Sequence, residues 1–133
     1  MATGYQADRA RKEAVQALGR ELARRARSRC EFCGVGGQRL EVVEVLPLPD
    51  RPEPTRAVLL CEPCMAGVVE GRTEPEERWR FLEEVVWSEV PPVQVMAVRM
   101  ARRLQARKVG WAQDLLAGIY LDPEIEAWVD QAG

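Results

Sequence analysis

Two Cys-x2-Cys hooks, Cys30-Glu31-Phe32-Cys33 and Cys61-Glu62-Pro63-Cys64, stand 27 residues apart in this chain. If they share one metal, every acceptable fold has to return residue 61 to residue 30. Two thiolates from each hook complete a four-sulfur tetrahedron, the arrangement of a closed structural zinc site. The expectation is one structural Zn2+ per chain on Cys30, Cys33, Cys61 and Cys64. Iron in the same site and redox-active cysteines are the competing readings. Gly34 permits a tight turn that folds backbone amides around Cys33, and Arg29 and its basic neighbours are placed to offset thiolate charge. Because the hooks meet only in the folded chain, metal binding should contribute to folding.

A catalytic metal fits poorly. Four thiolates leave no position for water, and the chain has no histidine to serve as a base or mixed ligand. Glu31 and Glu62, one residue into each hook, are expected to be solvated surface charge.

The chain of 133 residues suits a single compact domain over 1–133, with a zinc finger embedded at 29–67 and a helical region at 73–131. Apolar residues make up 47% and charged residues 30%, which excludes a disordered tail. No run approaches the roughly 20 apolar residues of a membrane span. The start, "MATGYQADRARKEAVQ", has no apolar core of the kind a secretory signal carries. A cytoplasmic location without membrane contact is expected, where cysteines serve metals more readily than disulfides.

Apolar residues Ala14, Val15, Leu18, Leu22 and Ala26 recur at helical spacing and predict one amphipathic helix over 6–28. "LEVVEVL" at 40–46 and "AVLL" before Cys61 are β-rich and joined by the proline-dense "PLPDRPEPT", so the two runs should pair. Leu40, Val42 and Leu46 fall on one side of the first strand, Val43 and Val45 on the other. Thr73 and Glu76 have capping-box spacing before "RWRFLEEVVW". Pro91 and Pro92 can open a helix running to Lys108, with Val93, Met96, Ala97, Met100 and Leu104 on its core face. Gly110 separates it from a short helix through Trp111, Leu115, Leu116 and Ile119, and Asp122-Pro123 starts the last one. The tryptophans look like core anchors. The apolar faces at 93–104 and 111–119 suit a monomeric core or a dimer seam, and periodicity does not decide between them.

The net charge is −2, but it is segregated. Basic residues crowd 8–29 and 99–108, and glutamates crowd 70–89. Arg20, Arg24, Arg25 and Arg27, and then Arg99, Arg102, Arg103 and Arg107, are the candidate contacts to nucleic-acid phosphates.

Residues 29–67, with "RCEFCG", "LEVVEVLPL" and "AVLLCEPC" in order, resemble the zinc-containing branch of the HNH endonuclease family. The resemblance implies a treble-clef-like ββα finger. It also places Glu44 at the catalytic-histidine position, Val43 before it, Arg56 at an asparagine position and Met65 at a second histidine position. None of these keeps the family's metal or water activation, so family-type nuclease activity is not expected. Over residues 20–131 the chain resembles the N-terminal domain of proteobacterial PhnA-type proteins, through "WSEVPPVQVMAVRM" and "WAQDLLAGIYLD" as well as the hooks. That resemblance implies no particular reaction.

The fold expected is mostly α, with a short antiparallel β hairpin in a small ββα zinc finger against a helical body. The function expected is a non-enzymatic zinc-stabilised module for protein interaction. The alternatives are a nucleic-acid-binding protein using the basic helices, and a small phosphoester or phosphonate hydrolase using Glu44, Asp50, Glu62 or Asp114.

Overall fold

In a computed structural model, residues 4–131 are described. A two-stranded hairpin organises them: β1 (Leu40–Glu44) runs antiparallel to β2 (Ala57–Cys61), with Leu40 opposite Cys61 and Glu44 opposite Ala57. Side chains alternate across a strand, so each face collects its own residues. Leu40, Val42, Ala57 and Leu59 pack with Leu22 on one face, and Val43, Val58 and Leu60 join the main core on the other. Both faces are covered, which is why all five residues of β2 are buried and its sequence reads as a continuous apolar run.

Helices α1 (Gly4–Ala17) and α2 (Gly19–Ala26) cover the first face. They replace the single helix expected over 6–28. At Leu18 the backbone N–H bonds Val15 O at 3.0 Å, one residue short of the α-helical partner, and Gly19 follows with its low helix propensity. The break lets α1 lie along β1 while α2 crosses both strands. α2 ends on Arg27 and Ser28 in left-handed conformations, φ 56° and 58°, with Ser28 N–H on Ala23 O at 2.8 Å.

On the second face lie α3 (Glu62–Glu70), which continues directly from β2, and the long α5 (Pro91–Ala106). Nine residues of α5 are buried, from Pro92 to Leu104, so it is the central helix rather than a one-sided surface helix. A 3-10 turn at Glu76–Phe81 leads into α4 (Leu82–Val85), and α6 (Gly110–Gly118) and α7 (Pro123–Gln131) pack on α5. Trp79, Leu82, Val95, Val98 and Leu104 share one core with Cys61 and Cys64. Finger and helical body are therefore packed around a common interior, and the fold is mostly α with a small ββα finger.

Several local expectations change. The capping box at Thr73 does not form: Thr73 is 1% exposed, its hydroxyl takes a hydrogen bond from Arg107, and the 3-10 turn starts at Glu76. Thr73 is held by Arg107, the residue after α5, and the 3-10 turn has no side-chain cap. Trp79 is a core anchor and Trp111 and Trp128 are half-buried, but Trp87 is 53% exposed. Leu46 lies beyond the end of β1 and is 51% exposed, not on the sheet face with Leu40. Gly67 allows α3 to touch the Trp79 ring: a Cβ there would sit 2.1 Å from Cζ2. Among the described residues, no helix is long and apolar enough to cross a membrane.

Candidate metal centre

The first hook sits in a knuckle closed by Cys30 N–H on Val35 O at 2.9 Å and Gly34 N–H on Cys30 O at 3.0 Å. Gly34 takes φ 79°, which a side chain would oppose. The second hook spans the junction of β2 and α3: Cys61 is the residue before the helix and Cys64 lies in its first turn. The hairpin register places Cys61 opposite Leu40, bringing this junction beside the knuckle.

All four sulfurs lie within 4.8 Å of one another, and Cys33 Sγ is 3.6 Å from Cys61 Sγ. A disulfide needs about 2.05 Å. A tetrahedron of metal–sulfur bonds near 2.3 Å has edges of about 3.8 Å. The cluster fits a metal ion and contains no disulfide. Among the described residues it is the one group of three or more such ligating side chains that can hold an ion. Cys30, Cys61 and Cys64 are at most 3% exposed, and Cys33 is half-buried.

The metal-free electrostatics show what an ion would relieve. A hydrogen bond from Cys64 holds the Cys30 thiol down at about 4, helped by the amides of Cys61, Cys33 and Phe32 and opposed by burial. Cys64 is pushed up, first by that same bond to Cys30 and then by burial, and burial also raises Cys33. One thiolate forms at its neighbours' expense. A dication removes that conflict by accepting all four sulfurs as thiolates.

Arg78 is the partner that sequence reasoning missed. Its Nη2 donates to Cys64 Sγ at 3.4 Å and lies 4.0 Å from Cys61 Sγ. Burial lowers the Arg78 pKa, but the Cys64 hydrogen bond and the charge of the cysteines raise it further, leaving it above its ordinary value. The guanidinium rests over the rings of Trp79, at 5.0 Å, and Phe81, at 5.8 Å, and Phe81 in turn meets Phe32 of the first hook. Arg29, expected in this role, points instead at Gly34 O, 3.4 Å away.

Glu31 is not the solvated charge expected of it. Its side chain is 6% exposed and pairs with Arg25 at 2.7 Å, while Leu59 N–H donates to it at 2.8 Å. Arg25 also donates to Pro54 O and Ala57 O, so this one pair ties the knuckle to α2 and β2. Glu62 is exposed, as expected.

The positions that the nuclease resemblance singles out have structural neighbours. Glu44 accepts a two-pronged pair from Arg11, at 2.9 and 2.7 Å; Arg56 lies 4.9 Å over the Trp128 ring; Met65 packs on the core. The basic candidates divide. Arg25 is engaged as described, Arg99 donates to Trp128 O and Val129 O, and Arg102 pairs with Asp130. Arg103 donates to Gly67 O and Val68 O, and Arg107 to Thr73 and Gly71 O. Arg20, Arg24 and Arg27 are exposed on α2 and at its end, with no such partner among the described residues.

Comparison of the chain with models of known families, with curated proteins and with solved structures gives no match.

Proposed function

We propose that this chain is a non-enzymatic interaction module, related to the N-terminal domain of PhnA-type proteins and held together by one structural zinc. Its partner is a protein. The observation that carries this reading is the buried, closed four-sulfur cluster, which offers a metal a complete coordination sphere and offers a substrate none. Zinc suits four thiolates in tetrahedral array and brings no redox chemistry. A reducing, cytoplasmic setting keeps those thiolates available. The hydrolase alternative loses support where Glu44 is locked by Arg11.

Protein contact is supported by a hollow between β1, α3 and α5, lined by Val43, Leu46, Val68, Val69, Met96 and Met100 together with the charged Glu44, Arg99 and Arg103. Leu46 is 51% exposed and Val69 64%. Such surface gains most from burial against apolar side chains of another protein. A photocrosslinker at Val69 tests this reading. The captured protein, purified, should rebind the zinc-loaded chain and lose affinity by at least about tenfold with Val69→Glu. Turnover of a phosphodiester or phosphonate ester by the zinc-loaded chain, lost in Glu44→Gln with fold and zinc intact, would overturn it.

A further inference from the structure

Most arginines of this protein have partners inside it. Arg9, Arg11, Arg25, Arg39, Arg72, Arg80 and Arg102 are ion-paired; Arg78, Arg99, Arg103 and Arg107 donate to sulfur, carbonyl or hydroxyl groups; Arg29 faces a carbonyl and Arg56 a tryptophan ring. Among the described arginines, Arg20, Arg24, Arg27 and Arg51 alone have no side-chain hydrogen bond, ion pair or ring contact. Three of these four fall within eight consecutive residues.

Their placement is regular. Arg20 and Arg24 are four residues apart, on one face of α2, and Arg27 is the residue that ends it. Leu22, fully buried against β2, lies on the opposite side of α2, so the row points outward. Arg27 ends the helix at φ 56°, where glycine would avoid a cost of about 1 kcal/mol. Its backbone N–H caps Ala23 O and Arg24 O, while its side chain, like those of Arg20 and Arg24, is exposed and has no partner among the described residues.

We propose that this arginine row is a binding surface for the phosphodiester backbone of a nucleic acid. The row contains no apolar anchor: none of the exposed large hydrophobics, Tyr5, Leu46, Leu48, Val69, Trp87 and Tyr120, belongs to α2. Protein interfaces concentrate their energy in well-packed, desolvated anchors, whereas backbone phosphates can be held by exposed cationic side chains without any apolar anchor. With no side chain placed to read base edges, contact through this row is indifferent to sequence. The surface goes beyond the protein-interaction reading and leaves it standing, since the hollow lies on the other side of the hairpin from α2.

The test is fluorescence anisotropy of the zinc-loaded full chain with a labelled DNA duplex and a labelled single-stranded RNA, each of about 20 nucleotides per strand and mixed sequence. With three phosphate contacts, affinity should fall about 40-fold for the duplex and about 20-fold for the single strand between about 50 and 200 mM salt. The variant Arg20→Glu/Arg24→Glu/Arg27→Glu should lose at least about tenfold in affinity at low salt with zinc content and circular dichroism unchanged. Lysine at the same three positions should restore binding with a similar salt slope, because a phosphate accepts either cation. Absence of binding at low salt would overturn the proposal. So would binding that ignores salt or survives the triple reversal. If poly-glutamate of equal charge competes as well as unlabelled nucleic acid, the row serves an acidic protein and the proposal also fails.

Discussion

Arg78 donates to the sulfur of Cys64 across 3.4 Å, and this contact joins the helical body to the cysteine cluster. A four-thiolate zinc site carries excess negative charge, and a half-buried guanidinium beside two of its sulfurs lowers the cost of keeping them ionised. Replacing Arg78 with Met should weaken zinc binding by about 10–100-fold, measured by competition with a chromophoric chelator. Lysine should recover only part of that, since it lacks the planar fork that rests over the Trp79 and Phe81 rings. Equal affinity in all three proteins would remove Arg78 from the account of the site.

The close approach of α3 to the core depends on one missing methyl group. Gly67→Ala places a Cβ 2.1 Å from Trp79 Cζ2, so ring or helix must move. A loss of about 2–3 kcal/mol in urea unfolding is expected. Combined with Trp79→Leu, the loss should be smaller than the sum of the two single changes, because the collision is removed.

Glu31 is a structural acid. Glu31→Gln should cost about 3 kcal/mol by leaving Arg25 without its counter-charge in a largely enclosed position. The exposed pair Arg9–Glu13 supplies the control, and Glu13→Gln should change stability by less than about 0.5 kcal/mol. Comparable losses from the two changes would mean that the burial of Glu31 has no energetic consequence.

Arg27→Gly should stabilise the chain, by about 1 kcal/mol, because glycine takes φ 56° without opposition. Thermal unfolding reads the sign directly. A lower midpoint would show that Arg27 has a stabilising role within its own chain.

What the sequence disclosed was local. The cysteine hooks are identified by spacing, the hairpin by two β-rich runs around a proline-dense connector, and α5 by Pro91-Pro92 followed by helical apolar spacing. The features that stayed hidden depend on distant chain. Arg78 lies 14 residues beyond Cys64 in a glutamate-rich stretch where a surface ion pair is the simpler expectation. Glu31 is buried where α2 brings Arg25 and β2 brings the Leu59 amide to its carboxylate. Thr73 has a good capping pattern, yet Arg107 from beyond the end of α5 takes its hydroxyl. The break at Leu18 follows from how two strands are covered, which helical periodicity does not encode.

If a metal on Cys30, Cys33, Cys61 and Cys64 holds the finger in place, its removal must unfold the finger. Native mass spectrometry of freshly purified chain, prepared without a metal-affinity column and followed by unfolding with and without a strong chelator, tests it most directly. One zinc per chain is expected, with a cooperative loss of structure when zinc is withdrawn. Metal-free chains that unfold at the same midpoint as zinc-loaded ones would contradict it.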